Sequence, residues 1–273
     1  MKAALVDNGS LETAAHAGLR TVAASIGKRA GVPVEAVSWR HSDRIPRGAI
    51  EGGPVWTLAP WIRARVSEGE RRFVLIPFFI SPQGEVGSSL RRDLEALSGE
   101  LGGFDFSFTE GLAAGTALSE IVADRVRGAA AERGLRQPAV VVVDHGGPSR
   151  ASAAVRNRVA DEVRVRLGGT VGPLAAASME SPEGPGFDFN RPLLAEALAA
   201  PGFASGDVLI APLFLLPGRH AGPEGDLAAI ARKAQGRSPA LRCPFTDLVG
   251  SHPMATEFLS RALIGALGAG SRP

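Results

Sequence analysis

The chain has 273 residues, enough for one large domain or two of moderate size, and its 45% hydrophobic and 21% charged residues are typical of a folded globular protein. A net charge of only +2, an aromatic content of 5% and the lack of a basic run argue against nucleic-acid binding. The one cysteine excludes an intramolecular disulfide, so any metal must be held by His, Asp or Glu. The sequence shows neither a secretory leader nor a long apolar run, which predicts a cytoplasmic protein without a membrane partner.

Short apolar runs alternate with amphipathic stretches of helical period along the whole chain. Strands are predicted near residues 2–7, 33–39, 73–80 and 104–108, and again near 139–144, 172–178, 207–214 and 240–244. Helices are predicted between them, at roughly 11–28, 55–68, 86–100 and 115–132, with counterparts in the second half. The strands are almost continuously apolar, which favours burial on both faces. The predicted fold class is therefore α/β, with doubly wound, mostly parallel sheets flanked by helices.

The two halves of the chain repeat one another. The stretch "AALVDNGSLETAAHAGLRTVAASI" matches "VVVVDHGGPSRASAAVRNRVADEV", "VSWR" matches "ASME", and "IPFFISPQGEVG" matches "APLFLLPGRHAG", in the same order and at nearly constant offset. A weaker fourth match follows near the end of each half. This pattern predicts a tandem duplication with domains at 1–134 and 135–273, joined by the charged, Gly- and Pro-containing segment 131–138.

Three side chains of the second half follow the ends of predicted strands: His145, Glu180 and His220. Ligands of open parallel sheets bind beyond the carboxyl ends of the strands, so we expect these side chains to converge. Two imidazoles and a carboxylate suit a divalent first-row metal with coordination positions left open. Glu183 and Asp188 lie near Glu180 in sequence, and either is an alternative acidic partner.

The residues around these side chains also fit a binding site. Gly146 and Gly218 leave room for a large ligand to approach the backbone. Arg219 adjoins His220 and suits a carboxylate on that ligand. Pro223 is expected to be the first residue of the next helix, which would hold the loop of His220 against a helix start.

The remaining histidines and two nearby arginines have weaker claims to a functional role. His16 is expected on the surface or flank of the first helix, His41 is expected to be structural, and His252 is expected to cap or pack the last helix. Arg150 and Arg156 lie in the first helix of the second half and are secondary candidates for binding an anionic ligand; the alternative is that both are solvated.

The second-half motifs resemble those of the class II tetrapyrrole chelatases, in particular the sirohydrochlorin cobaltochelatases. The similar stretches are "VDHGGPSRASAAV", "SMESPEGPGFDFNRPLL" and "PLFLLPGRHAGPEGDL", in that order, and the first half resembles a degenerate copy. The resemblance implies a lyase of cobalamin biosynthesis that inserts a divalent metal into sirohydrochlorin or a related tetrapyrrole without ATP. It implies no tightly bound cofactor, with Co²⁺ as the substrate metal and Fe²⁺ or Ni²⁺ as alternatives.

The same resemblance assigns roles to individual residues. His145 and His220 would bind the incoming metal and take up pyrrole protons, and Glu180 would assist as ligand or proton acceptor. Single-domain members of such families are expected to pair as homodimers, so this chain is expected to be a monomer with an internal pseudo-dimer, or a homodimer. Because Asn8 and Glu85 stand where His145 and His220 stand in the other half, we expect no metal site in the first half.

Two other functions compete with this one. A tetrapyrrole or metal carrier would use the same fold and residues without catalysing insertion. A metal hydrolase or oxygenase with two histidines and one carboxylate usually has two of its ligands close together in sequence, and this chain has no such pair. The glycine spacing of a dinucleotide-binding turn is also missing.

Overall fold

The computed structural model describes residues 1–46, 53–81 and 85–269. Contacts between Cα atoms divide the chain into two compact units. Unit 1 contains Met1–Ala114 together with the last helix, and unit 2 contains Gly115–His252. In the part of the chain that is described, no helix is both long and apolar enough to span a bilayer.

Across the described residues the chain forms nine strands and eight α-helices. The strands are β1 Lys2–Asp7, β2 Val34–Ser38, β3 Trp56–Thr57, β4 Arg72–Pro77, β5 Asp105–Phe108, β6 Ala139–Asp144, β7 Leu174–Ser178, β8 Gly206–Pro212 and β9 Leu241–Arg242. The helices are α1 Thr13–Ala30, α2 Leu58–Ser67, α3 Glu85–Glu100, α4 Ala117–Glu132, α5 Arg150–Leu167, α6 Leu194–Ala197, α7 Asp226–Arg237 and α8 Pro253–Ala269.

Both sheets are parallel, and the predicted α/β class is confirmed. The described residues of unit 1 give a five-stranded sheet in the order β3-β2-β1-β4-β5, and those of unit 2 a four-stranded sheet in the order β7-β6-β8-β9. Strand β3 was not predicted, because its two residues precede α2 directly and fell within the stretch assigned to that helix. Every predicted strand and first-half helix has an observed counterpart within a few residues.

The two sheets also share their register. Asp7 at the end of β1 pairs with Ser38 of β2, and Asp144 at the end of β6 pairs with Ser178 of β7. The helices that follow, α1 and α5, are both 18 residues long. A tandem repeat predicts these equivalences, although its origin by duplication stays a prediction.

Each unit has its own core, and the two cores differ in composition. In unit 1, Phe73 on β4 contacts the rings of Trp61 and Phe104 edge to face, with centroid distances of 5.5 and 5.3 Å. In unit 2, all six residues of β6 are buried, and the core is built mostly of aliphatic side chains. Because β6 is covered on both faces, its polar continuation emerges only at the carboxyl edge of the sheet.

The two compact units do not coincide with the ranges 1–134 and 135–273. Helix α4 precedes the predicted boundary but packs on α5 and β8 of unit 2. Helix α8 lies at the end of the chain but packs on α1 and β4 of unit 1. An amphipathic helix is stabilised wherever its apolar face is covered, and sequence proximity alone does not decide which sheet covers it.

The expectation for His16 was wrong. Its side chain is only 2% exposed, within α1, rather than on a surface or flank. Helix α1 contacts α8 as well as the sheet of unit 1, so more of its surface is covered than that of a helix with one packed face. His252 directly precedes α8 and is also buried, with Nε2 3.0 Å from Asp124 Oδ2. This contact is with α4, so the expected role of His252 in capping or packing the last helix stays a prediction.

Candidate metal-binding site

The loops after β6 and β7 are joined at the carboxyl edge of the unit 2 sheet. The backbone N–H of Met179 donates to the carbonyl of Asp144 at 2.8 Å, and that of Glu180 donates to the carbonyl of His145 at 3.1 Å. Gly146 has a φ of +86°, and a Cβ added there would lie 1.9 Å from the carbonyl oxygen of Glu180. Gly146 therefore allows the two loops to approach, which fixes the backbone of both His145 and Glu180.

A buried ion pair stabilises the end of β6 at this edge. Arg156 of α5 is 1% exposed, and its Nη1 lies 3.3 Å from Asp144 Oδ1 and donates to the Ser178 hydroxyl. Its Nη2 donates to the carbonyl of Phe189 at 2.8 Å, and the Ser178 hydroxyl donates to Asp144 Oδ1 at 2.7 Å. The sequence left two alternatives for Arg156, binding an anionic ligand or being solvated. Both were wrong, because the side chain is buried and paired with Asp144. It neutralises Asp144 at the strand end because a buried carboxylate requires a paired charge.

The two histidines meet in front of this edge. The ring centroids of His145 and His220 lie 4.7 Å apart with an interplanar angle of 87°, and Phe214 lies 6.4 and 6.5 Å from them. Glu180 Oε1 lies 3.6 Å from His145 Nδ1. Three of the residues singled out in the sequence therefore come together from three separate loops, and Phe214, which the sequence did not indicate, lies beside them.

The acidic side of the site is open. Glu183 and Asp188 are exposed, and within the described chain neither forms an ion pair with a histidine, in contrast to Glu180. No three His, Cys, Asp or Glu side chains among the described residues are arranged to hold a metal ion. The residues predicted from the sequence thus form a pair of imidazoles with Glu180 beside His145.

A second carboxylate, which the sequence analysis overlooked, contacts His220. Asp226 Oδ2 lies 2.6 Å from His220 Nδ1 and 3.8 Å from Arg219 Nε. Helix α7 begins at Asp226 and not at Pro223, so Pro223 lies in the loop and the acidic residue occupies the helix start. The available signal was an aspartate closely following a histidine at the start of a predicted helix, where carboxylates are favoured.

Backbone contacts close the loop that carries His220. The N–H of Leu227 donates to the carbonyl of His220 at 3.2 Å, and that of Asp226 donates to the carbonyl of Arg219 at 3.3 Å. A Cβ added at Gly225 would lie 2.8 Å from the His220 oxygen, so the chain can return this closely only through a glycine. His220 is therefore attached to the first turn of α7 through both its carbonyl and its imidazole.

A mainly apolar cavity of about 540 Å³ adjoins the same loop. Its walls include Pro217, Ala221, Pro223, Leu227, Cys243 and Phe245. Burial raises the pKa of the Cys243 thiol to about 11, so this cysteine is an apolar wall rather than a nucleophile or a metal ligand. Because one side of the loop faces a cavity, side-chain packing contributes less to holding it than it does in a filled core.

Comparison with solved structures identifies the fold. SirB from Bacillus subtilis with Fe3+ aligns with a TM-score of 0.70 at 14% identity, covering 99% of this chain and 98% of that one. The sirohydrochlorin chelatase SirB in complex with cobalt aligns with a TM-score of 0.67, also at 14% identity and with the same coverage of both chains. CbiX, described as the terminal enzyme of siroheme biosynthesis in denitrifying bacteria, aligns at 0.63 and 15% identity over 97% of this chain and 99% of its own.

The chain has the class II chelatase fold. No protein-family model and no curated protein sequence matches it. At these identities the likeness shows the shared fold, while the chemistry has to be argued from this chain's own residues.

Within this chelatase fold, the unit 1 positions equivalent to the site carry other interactions. Arg40, at the position of Glu180, pairs with Asp93 at 3.0 Å and stacks on the Trp39 ring at 3.9 Å. Asn8 is exposed at the position of His145. Glu85 begins α3, and its side chain lies outside the described part of the structure, as do residues 82–84.

The remaining residues singled out in the sequence are at or near the surface. Arg219 is 79% exposed, and its Nε lies at ion-pair distance only from Asp226 among the described residues. Arg150 stacks on the Phe189 ring at 4.7 Å. His41 is exposed, with a φ of 72°, at the start of a short 3₁₀ turn. Gly218 is half-buried in the loop before His220.

Proposed function

We propose that this protein inserts a divalent metal into sirohydrochlorin or a closely related tetrapyrrole without ATP, with Co²⁺ as its metal substrate. The observation that carries the proposal is the meeting of His145 and His220, with ring centroids 4.7 Å apart and Glu180 beside His145. The chelatase fold supports it, because solved structures of SirB, which share that fold, contain Fe3+ or cobalt.

The hydrogen bonds of the two imidazoles indicate which nitrogens face the substrates. His220 Nδ1 contacts Asp226, and His145 Nδ1 lies 3.1 Å from the carbonyl oxygen of Gly146. Each contact favours a proton on Nδ1, which leaves the lone pair of Nε2 to accept a metal or a proton. Two neutral imidazoles can therefore present two such lone pairs at one edge of the sheet.

The reaction requires proton transfer as well as metal binding. Two pyrrole N–H protons must leave as a divalent ion enters the macrocycle, so a base has to lie beside it. His145 is 45% exposed and can take up one proton at Nε2, after which the carboxylate of Glu180 pairs with the resulting imidazolium. Because the His145 side chain is itself 45% exposed, the imidazolium can release the Nε2 proton to solvent and then accept the second pyrrole proton.

The substrate contributes peripheral carboxylates, which call for an exposed cation near the metal site. Arg219 provides one, since it neighbours His220 and its guanidinium is accessible. Arg156 does not, because its side chain is buried against Asp144. We therefore assign Arg219, with the adjacent backbone at Gly218 and the turn at Gly146, to binding the tetrapyrrole.

The test is metal insertion by the purified full chain. Sirohydrochlorin and Co²⁺ would be mixed with the protein anaerobically, and the visible spectrum followed over many turnovers. We expect a protein-dependent shift to the metallated spectrum that is lost in both His145→Ala and His220→Ala. Asn8→Ala is the matched control, because Asn8 occupies the equivalent position in unit 1, and it should keep the rate.

The same assay separates the competing functions and metals. A rate equal to that without protein would reject the chelatase assignment for this pair of substrates. Tight binding of tetrapyrrole and metal without turnover would instead favour the carrier function. Parallel reactions with Fe²⁺ and Ni²⁺ would show whether cobalt is preferred, because intrinsic ligand affinity alone favours nickel over cobalt.

A further inference from the structure

We propose that Asp226 is a positioning residue that holds His220 in one tautomer and one ring orientation, with Nδ1 protonated and Nε2 free for the metal. This inference rests on the proposed function for its catalytic consequence, although its structural part can be tested without any tetrapyrrole. It assigns different tasks to the two histidines: His220 is the fixed ligand, and His145 is the more mobile acceptor.

The contact itself is short and correctly placed. Asp226 Oδ2 lies 2.6 Å from His220 Nδ1, which fits an N–H donating to a carboxylate. Asp226 is the first residue of α7, where the unpaired N–H groups of the helix favour a negative charge. A carboxylate accepts hydrogen bonds but cannot donate one when ionised, so it selects the tautomer with the proton on Nδ1.

Among the described residues, no carboxylate contacts His145 as closely. Its Nδ1 lies 3.1 Å from the carbonyl of the adjacent Gly146 and 3.6 Å from Glu180 Oε1, too far for a strong hydrogen bond. Its side chain is 45% exposed, against 31% for His220. The less constrained imidazole is the one beside Glu180, which suits it to receive and release protons.

The need for Asp226 follows from how the loop is supported. Pro217 and Ala221, on either side of His220, line the 540 Å³ cavity, and the His220 side chain is itself 31% exposed, so packing covers it only in part. The Leu227 N–H holds the carbonyl of His220 but leaves the imidazole free to rotate. Asp226 therefore supplies the only contact to a polar ring atom of His220 found among the described residues.

The experiment combines imidazole NMR with metal binding in the full chain. Long-range ¹H–¹⁵N spectra at about pH 8, where ordinary imidazoles are neutral, distinguish the two tautomers. His220→Gln identifies the signal of His220 among the five histidines. We expect the wild-type signal to show protonated Nδ1 and bare Nε2, and Asp226→Asn to lose this preference, because an amide can donate to Nδ1 instead.

Titration with Co²⁺ alone gives the second readout. Loss of a partner that orients a metal-binding histidine lowers metal affinity or activity about 10- to 100-fold, and we expect this loss in Asp226→Asn. In the insertion assay kcat should fall while KM for sirohydrochlorin stays nearly constant. Arg219→Ala should instead raise KM, because Arg219 is assigned to the tetrapyrrole rather than to the imidazole.

Glu224→Gln is the matched control. It removes one negative charge near the same helix start, but Glu224 is 88% exposed and pairs with Arg232 rather than His220. Its tautomer signal, Co²⁺ affinity and kcat should equal those of the wild type. Equal losses in Glu224→Gln and Asp226→Asn would reduce the effect to net charge and overturn the proposal.

Two further outcomes keep the inference separate from the function. A wild-type spectrum with the proton on Nε2 of His220 would overturn the proposal without any variant having to fold. A wild-type chain that shows the expected tautomer and binds Co²⁺, but does not metallate sirohydrochlorin, would leave Asp226 as a positioning residue and reject the chelatase assignment instead.

Discussion

The aspartates at the ends of β1 and β6 occupy equivalent positions in the two units but have different surroundings. Asp144 in unit 2 is paired with the buried guanidinium of Arg156. Asp7 in unit 1 also contacts a serine, Ser38, but the repeat places the apolar Leu19, fully buried, where unit 2 has Arg156. One backbone arrangement thus holds a neutralised carboxylate in one unit and an isolated carboxylate in the other.

The difference changes the chemistry of the aspartate. Burial raises the pKa of Asp7 to about 6, against hydrogen bonds from Ser38 and from the backbone of Gly9, which lower it. Its Oδ1 is buried without a hydrogen-bond partner among the described residues. Unit 1 therefore keeps the polar position but lacks the cation that makes a permanently charged group tolerable there.

A second buried group in unit 1 has no titratable counterpart in unit 2. Burial first, and then the nearby Arg20, lower the pKa of His16 to about 4, and both ring nitrogens are buried without a partner among the described residues. The equivalent residue of α5 is Ala153. In unit 2 the buried pair of Asp144 and Arg156 supports the edge where the site lies. In unit 1 the buried groups, Asp7 and His16, have no such role among the described residues.

The largest effect should come from removing the cation of unit 2. Arg156→Leu gives this position the residue that unit 1 has, and leaves Asp144 buried without its charge partner. We expect a loss of about 3 to 5 kcal/mol in the free energy of unfolding, the usual cost of breaking a buried ion pair on one side. Urea unfolding, with hydrogen exchange of the α5 amides to report on unit 2, measures it.

The double variant Asp144→Asn/Arg156→Leu is the control for that prediction. It removes both charges, so it should recover part of the stability that the single variant loses. A loss below about 1 kcal/mol in the single variant, the size seen for exposed ion pairs, would show that solvent reaches this group and would contradict the comparison.

The next effect concerns acid stability in unit 1. The pKa of His16 is lowered from 6.5 to about 4, so the unfolded chain binds a proton more readily than the folded one. The folded chain therefore has its full stability, as far as His16 is concerned, above pH 6.5, and it loses stability as the pH falls toward 4. His16→Leu should remove this loss, which is about 3 kcal/mol at 1.4 kcal/mol per pH unit, as measured by unfolding at pH 7 and pH 4.

Asp7 should act with the opposite sign. Its pKa is raised from 3.8 to about 6, so the folded chain holds the proton more tightly, and stability is lost as the pH rises through 6. Asp7→Asn stays neutral and should be more stable than the wild type at pH 8 by about 2 to 3 kcal/mol, with no gain at pH 3.5. Asp43→Asn, at an exposed position in unit 1, is the control and should show no such difference.

The two opposite signs sharpen the comparison. In the wild type, the losses from His16 at low pH and from Asp7 at higher pH partly offset one another between pH 4 and 6. Each single variant should therefore reveal the slope of the other residue, and the double variant should keep only the slope of the remaining groups, such as Glu196 and Asp207, whose pKa values are lowered by hydrogen bonds. If stability changed with pH in the same direction in both single variants, the pKa values of His16 and Asp7 would not be shifted in opposite directions, which would contradict the comparison.

The sequence alone could predict the edge where the site lies, but not how its side chains are held. Parallel strands bring their carboxyl ends together, so the meeting of His145 with His220 followed from strand order. The helix start at Asp226 did not follow, because the glycines and prolines before it allow several starting points for α7. Phe214 was missed because an apolar residue after a strand carries no signal of its own.

The two errors of burial have one physical cause. Both residues lie on helices with partners that are distant in sequence. Arg156 contacts Asp144 and Phe189, and His16 lies on α1, which packs on α8 as well as on its own sheet. Helical periodicity identifies an apolar stripe but does not show which polar residue at its margin will be enclosed. Such contacts are tertiary, and a single sequence contains no local pattern for them.

The smallest difference in stability is expected between two equivalent glycine variants, one in each unit. Gly9 and Gly146 have φ values of +94° and +86°, and an added Cβ would lie 1.7 Å from the Arg40 oxygen or 1.9 Å from the Glu180 oxygen. Gly9→Ala and Gly146→Ala should therefore lose similar stability, about 1 to 3 kcal/mol for a strained backbone. Gly99→Ala, in α3 with open space around it, should be neutral or stabilising.

Activity should distinguish the two glycines although stability does not. The clash at Gly146 moves His145 and Glu180 relative to each other, and a displacement of about 1 Å in a reacting group can cost about 100-fold in rate. Gly9→Ala makes the same displacement between Asn8 and Arg40, which we have assigned no part in catalysis, so its insertion rate should match the wild type. Equal losses of activity in both variants would place functional groups in unit 1 and end the proposed division between the units.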